Sequence, residues 1–141
     1  MAPVVLSSRL RAFLAGKHFL TIATVDPDGS PRQAVIWYLV DGDELVVNSA
    51  VGRRWTANLL RDGRVSAAIT DHGDGYRWIG VTGTAIAVTD QPTAQADIAA
   101  MARHYHDDDP SEAEALIASR FERQERISFR IRVEAIYDHL D

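Results

Sequence analysis

Residues His18 to Ser49 read HFLTIATVDPDGSPRQAVIWYLVDGDELVVNS. Runs rich in β-branched and aromatic residues alternate here with dense turn chemistry. Asp26-Pro27-Asp28-Gly29-Ser30-Pro31 supplies fixed φ at proline, free φ at glycine and side-chain acceptors at aspartate. Asp41-Gly42-Asp43 is a second, tighter connector. The spacing predicts strands over His18–Val25, Ala34–Val40 and Glu44–Ser49. Turns this short force each strand antiparallel to the one before it.

The pattern continues on both sides. Leu6, Leu10, Phe13 and Leu14 share a face at helical spacing, so Ser8–Gly16 reads as a short helix stopped by Gly16. Gly52–Asp62 has helical composition and Gly63 follows it. Arg64–Thr70 and Tyr76–Val88 read as strands, the second carrying Gly80 and Gly83 where a bulge or bend is expected. Gln91–His106 is a helix with Ile98, Met101, Ala102 and Tyr105 on one stripe. Asp107-Asp108-Asp109-Pro110 breaks it, and Ser111-Glu112-Ala113-Glu114 reads as a capping box for another helix. In the closing strand Phe129, Ile131, Val133 and Ala135 point inward, and Arg130, Arg132 and Glu134 outward. Residues 1–141 therefore predict a single, mainly β domain. Its expected architecture is a six-stranded antiparallel barrel with peripheral helices, since closure removes exposed edges.

Composition narrows the function classes. The 141 residues are 46% hydrophobic and 25% charged, as expected of a folded globular chain. A net charge of −5 argues against nucleic acid as partner. The absence of cysteine excludes disulfides, thiolate metal sites and cysteine nucleophiles. No secretion signal or membrane-length apolar run is seen, so a cytoplasmic location without a membrane partner is expected. Lys17 is the single lysine, so an anion site must use arginine or backbone N–H groups.

Asn48 to Arg64, NSAVGRRWTANLLRDGR, sets Arg53, Arg54, Arg61 and Arg64 against one acid, Asp62. A strand ends, a glycine follows and a helix begins near Arg53, which places free N–H groups and a positive dipole end beside guanidinium groups. Arg54, Asn58 and Arg61 share one helix face. Such a place suits a phosphate; the same residues also suit a solvated amphipathic helix.

The ordered set of these segments resembles the split β-barrel flavin-binding family that includes pyridoxamine 5'-phosphate oxidase. Within it, the chain is most similar to the reductases that use the deazaflavin coenzyme F420. The features are the Ala23–Pro31 hairpin, the apolar strand after it, Asn48-Ser49, the arginine pair, Asn58-Leu59, Arg61-Asp62-Gly63-Arg64-Val65, and Arg77-Trp78 ahead of Gly83. The resemblance implies a six-stranded split barrel and a homodimer with cofactor at the subunit interface. It implies that Ala34, Val35, Ile36 and Trp37 lie along the ring and that Asn48 and Ser49 contact ring or ribityl-side atoms. Arg54, with Arg53 beside it, then meets the phosphate, while Arg77 and Trp78 reach the site from the partner subunit. One position departs from the family: Trp55 stands where a lysine is usual, and tryptophan cannot replace that charge. Arg53 or Arg54 then supplies it, or Trp55 stacks on ring or substrate.

The resemblance implies an oxidoreductase that passes hydride from reduced F420 to a planar conjugated small molecule. Alternatives are an FMN-dependent oxidase or flavin reductase of the same fold, and a non-catalytic binder of a planar ligand such as haem. No catalytic residue is assigned; Tyr38, Tyr76 and water are the candidate proton donors. His104, His106 and the following aspartates lack metal-ligand spacing. His18, His72 and His139 stand alone and read as structural, so no metal ligand is assigned.

Overall fold

The computed structural model describes residues 2–141. In chain order the elements are α1 (Ser8–Leu14), β1 (Phe19–Val25), β2 (Pro31–Ile36), β3 (Leu39–Asp41), β4 (Glu44–Ala50), α2 (Arg54–Arg61), β5 (Arg64–Thr70), β6 (Trp78–Val88), α3 (Gln91–Tyr105), α4 (Pro110–Ser119), a 3-10 turn (Phe121–Arg123) and β7 (Arg126–His139). The strands form one antiparallel sheet in the order β2-β1-β5-β6-β7-β4-β3. The main core fills its concave side with Leu20, Ile22, Val47, Ile69, Ile79, Phe129 and Ile131, and α1 and α2 close its ends through Leu10, Phe13, Trp55 and Leu59.

Two sequence expectations are corrected here. The sheet has seven strands rather than six, and it is not closed by hydrogen bonds, because β2 and β3 are its two edges. The run Ala34–Val40, expected as one strand, is broken at Trp37-Tyr38. The cause is burial in opposite directions. Tyr38 enters the main core and its hydroxyl donates to the Leu14 carbonyl at 2.8 Å. Trp37 turns to a second core beneath α3, stacking on Tyr105 at 4.9 Å between ring centroids. Those two residues carry the chain from one sheet edge to the other, so the barrel is split and bridged by the backbone.

The second core holds Val46, Ile98, Met101, Ala102, Ile117 and Phe121. It covers the outer face of β4, which is why β4 is buried on both sides. Gly83 sits at the expected bulge: a Cβ there would meet the Arg132 carbonyl oxygen at 2.0 Å, and the pairing with β7 shifts register between Thr82 and Gly83. The bulge flips the alternation of β7, so Ile136 packs on the core where Ala135 was expected. The α4 cap also differs. Asp109 is the N-cap and accepts from the Glu112 N–H at 3.2 Å, while Glu114 pairs with Arg103.

Candidate functional site

A cavity of about 260 Å³ opens where β2, the end of β4, the start of α2 and the α3–β7 segment meet. Its apolar wall is Val35 and Ile36 from β2 and Trp37 just after it, with Phe19, Ile98, Met101 and Phe121 around them. Asn48, Ser49, Arg53 and Trp55 come from the β4–α2 junction, and Arg120, Gln124 and Arg126 from the segment leading into β7. Seven sequence-nominated residues therefore meet in one place: Val35, Ile36, Trp37, Asn48, Ser49, Arg53 and Trp55.

Arg126, which the sequence reading left out, is the most informative group in the cavity. It is only 4% exposed and sits over the Phe121 ring at 4.9 Å. Its Nε donates to Asn48 Oδ1 at 3.0 Å and its Nη1 to Gln124 Oε1 at 2.6 Å. Among the described residues no carboxylate pairs with it or lines the cavity. Burial, with Arg53 adding to it, pushes its pKa down to about 10, so it remains a cation at neutral pH. A buried charge without a counter-charge is costly, and the site gains stability when an anion enters.

Asn48 is fully committed inside the chain. Its Nδ2 donates to the Ala94 carbonyl at 2.9 Å and to Ser128 Oγ at 2.8 Å, leaving Oδ1 for Arg126. Because guanidinium only donates, this amide orientation is forced. Asn48 thus aims Arg126 into the cavity. Ser49 Oγ is buried without a hydrogen-bond partner among the described residues. Trp55 is buried in the main core against Phe129, so the position where the family has lysine is a packing residue here. The cavity's cations are Arg53, Arg120 and Arg126.

The remaining nominated residues lie elsewhere within the chain. Ala34 faces the main core. Arg54 lines a separate depression with Asp26, Asn58 and Arg61. Arg77 donates to Asp71 Oδ2 at 2.7 Å and to the Leu140 carbonyl at 3.1 Å, and Trp78 stacks on His139 at 4.2 Å. Tyr38 is corrected as a proton donor: its hydroxyl is buried on the Leu14 carbonyl and its pKa is raised by burial. Tyr76 is 91% exposed and outside the cavity. The reading of His18 and His72 as isolated is corrected too, since their Nδ1 atoms lie 3.2 Å apart.

The cavity pairs apolar side chains with guanidinium donors, and among the described residues its lining has no histidine, carboxylate or tyrosine. It can bind and orient an anionic, partly aromatic ligand; the redox or proton chemistry must come from that ligand or from water.

Comparison with solved structures places the fold. The chain superposes on a protein described as an F420 reductase with a TM-score of 0.72 at 23% identity, covering 94% of this chain and 98% of that one. A conserved hypothetical protein from Mycobacterium tuberculosis gives a TM-score of 0.76 at 23% identity, over 99% and 89% of the two chains. HutZ, a haem storage protein from Vibrio cholerae, gives 0.68 at 18% identity, over 96% and 95%. No curated protein sequence matches the chain. The sequence profile described as pyridoxamine 5'-phosphate oxidase matches residues 6–140, and the chain belongs to that family.

Proposed function

We propose that this protein is an oxidoreductase that binds coenzyme F420 and uses its reduced form to deliver hydride to a planar conjugated small molecule. The observation that carries the reading is the carboxylate-free group of Arg53, Arg120 and Arg126 beside the orphaned Ser49 hydroxyl, at the end of the Val35–Trp37 wall. A tricyclic ring bearing a phosphate needs both parts of that arrangement: a dry flat wall and a concentrated set of donors. Arg126, held by Asn48 and Gln124, takes the phosphate with Arg53 and Arg120, and Ser49 donates to the polar chain between phosphate and ring. Val35, Ile36 and Trp37 keep water from one face of the ring. When bound, the cofactor supplies the hydride.

The cavity in one chain is smaller than the ~300–1,000 Å³ usual for such ligands. Val35 is 67% exposed on an unpaired sheet edge at the cavity rim. A second copy of the chain across that edge completes the pocket, and it gives Arg77 and Trp78 their route to the ring.

Side-by-side titration of the purified protein with F420 and FMN, followed by fluorescence, tests the assignment. The proposal expects saturable F420 binding, tighter than FMN. FMN binding tighter than F420 transfers the site to a flavin enzyme of the same fold, and binding of neither overturns the reading.

A further inference from the structure

The residue before β1 meets the loop between β5 and β6. There His18, Asp71 and His72 bring one ligand atom each within 4.8 Å of one another. We propose that these three residues form a binding site for a divalent transition-metal ion of the zinc, cobalt or nickel class. One coordination position is left open to the adjoining cavity lined by Phe13, Arg77 and Leu140.

The nitrogen geometry carries the proposal. His18 Nδ1 and His72 Nδ1 are 3.2 Å apart. Two nitrogens bound to one zinc at about 2.0–2.1 Å in tetrahedral geometry stand about 3.3–3.4 Å apart. His18 Nδ1 also receives the His72 backbone N–H at 3.2 Å, so that nitrogen presents a lone pair. An imidazole nitrogen has one lone pair in its plane. Here it faces both a long N–H contact and a second ring nitrogen. A cation between the rings takes the place of the N–H contact on His18 Nδ1 and engages both nitrogens at once.

The surroundings keep the ligands in place. Phe13 stacks on the His18 ring at 4.4 Å and 16°. Asp71 accepts from the Gly73 N–H at 2.8 Å and from Arg77 at 2.7 Å, one bond on each oxygen, which fixes its carboxylate and leaves further lone pairs. The Arg77 charge opposes any cation, so affinity rests on the two imidazoles. That selects nitrogen-preferring ions over calcium or magnesium.

The 141-residue chain, free of tags, is stripped with chelator and titrated with zinc(II) by calorimetry and with cobalt(II) by visible absorption. The expected result is about one ion per chain, with binding at least tenfold weaker in both His72→Ala and Asp71→Ala, and no comparable binding of calcium. Wild-type Tm rises with zinc, and that of His72→Ala does not. His72 is exposed, so its variant keeps the fold and the test does not depend on replacing buried His18. No saturable uptake, or uptake undiminished in His72→Ala, overturns the proposal. The readouts require neither F420 nor turnover, so they stand apart from the cofactor assignment.

Discussion

Arg126 is a cation held out of water with no anion among the described residues to meet it. Charge-assisted hydrogen bonds to a phosphate contribute roughly 1.5–3 kcal/mol each. Arg126→Ala is therefore expected to weaken F420 binding by about 10–150-fold in fluorescence titration, and Arg53→Ala to weaken it in the same direction. Arg54→Ala is expected to stay within about threefold of wild type, because Arg54 lies in the depression beside Asp26 and Arg61. An unchanged Kd in Arg126→Ala, or a larger loss in Arg54→Ala, contradicts the placement of the phosphate. The sequence pointed to Arg54 because it shares a helix face with Asn58 and Arg61. In the fold that face turns to the β1–β2 turn, where Asn58 donates to Thr24 Oγ1 at 3.0 Å and to Asp26 Oδ1 at 2.9 Å. Arg126 was illegible for a different reason. Alternation in the closing strand assigns Arg126, Ser128 and Arg130 to the solvent face, and nothing local reveals that α3 covers Arg126 and Ser128.

Two elements depend on single residues that the sequence marks clearly. Gly83 lets β6 pass against the β7 backbone, and a methyl group there collides with the Arg132 carbonyl. Gly83→Ala is expected to destabilise the protein by about 1–3 kcal/mol or more in denaturant unfolding; a midpoint unchanged from wild type rules out the bulge as drawn. The Asn58 clamp ties α2 to the first hairpin. Arg32 first, and then Asn58, hold the Asp26 carboxyl below its ordinary value of 3.8. A carboxyl lowered in the folded state adds stability that is present above that value and fades as pH falls through it into the lowered range. Asn58→Ala is thus expected to lower stability at neutral pH and to flatten the loss between about pH 5 and pH 3. An acid limb identical to wild type contradicts the clamp. The strands were legible from alternation and turns. The break at Trp37-Tyr38 was not, since an apolar run does not say that its side chains enter two different cores.

At the scale of the whole molecule, the open question of one chain is its bare edge. Among the described residues β2 pairs only with β1, and it presents Val35, with Phe19 nearby, beside the arginine cavity. An exposed apolar edge of this kind invites a second copy. Light scattering after gel filtration is expected to give twice the chain mass. Val35→Glu is expected to shift the protein toward monomer and to weaken F420 binding in parallel. A monomeric wild type that binds F420 at full strength removes the dimer from the account. The family, its mainly β sheet and the split barrel were readable from ordered short motifs; the seventh strand and the two open edges were not, because they depend on which strands meet at a distance in sequence. A crystal structure of the F420 complex measures directly where the phosphate sits. The predicted result is the cofactor phosphate within hydrogen-bond distance of Arg126 and Arg53, with the ring along Val35–Trp37. A phosphate lodged beside Arg54 and Arg61, or a ring bound away from β2, contradicts it.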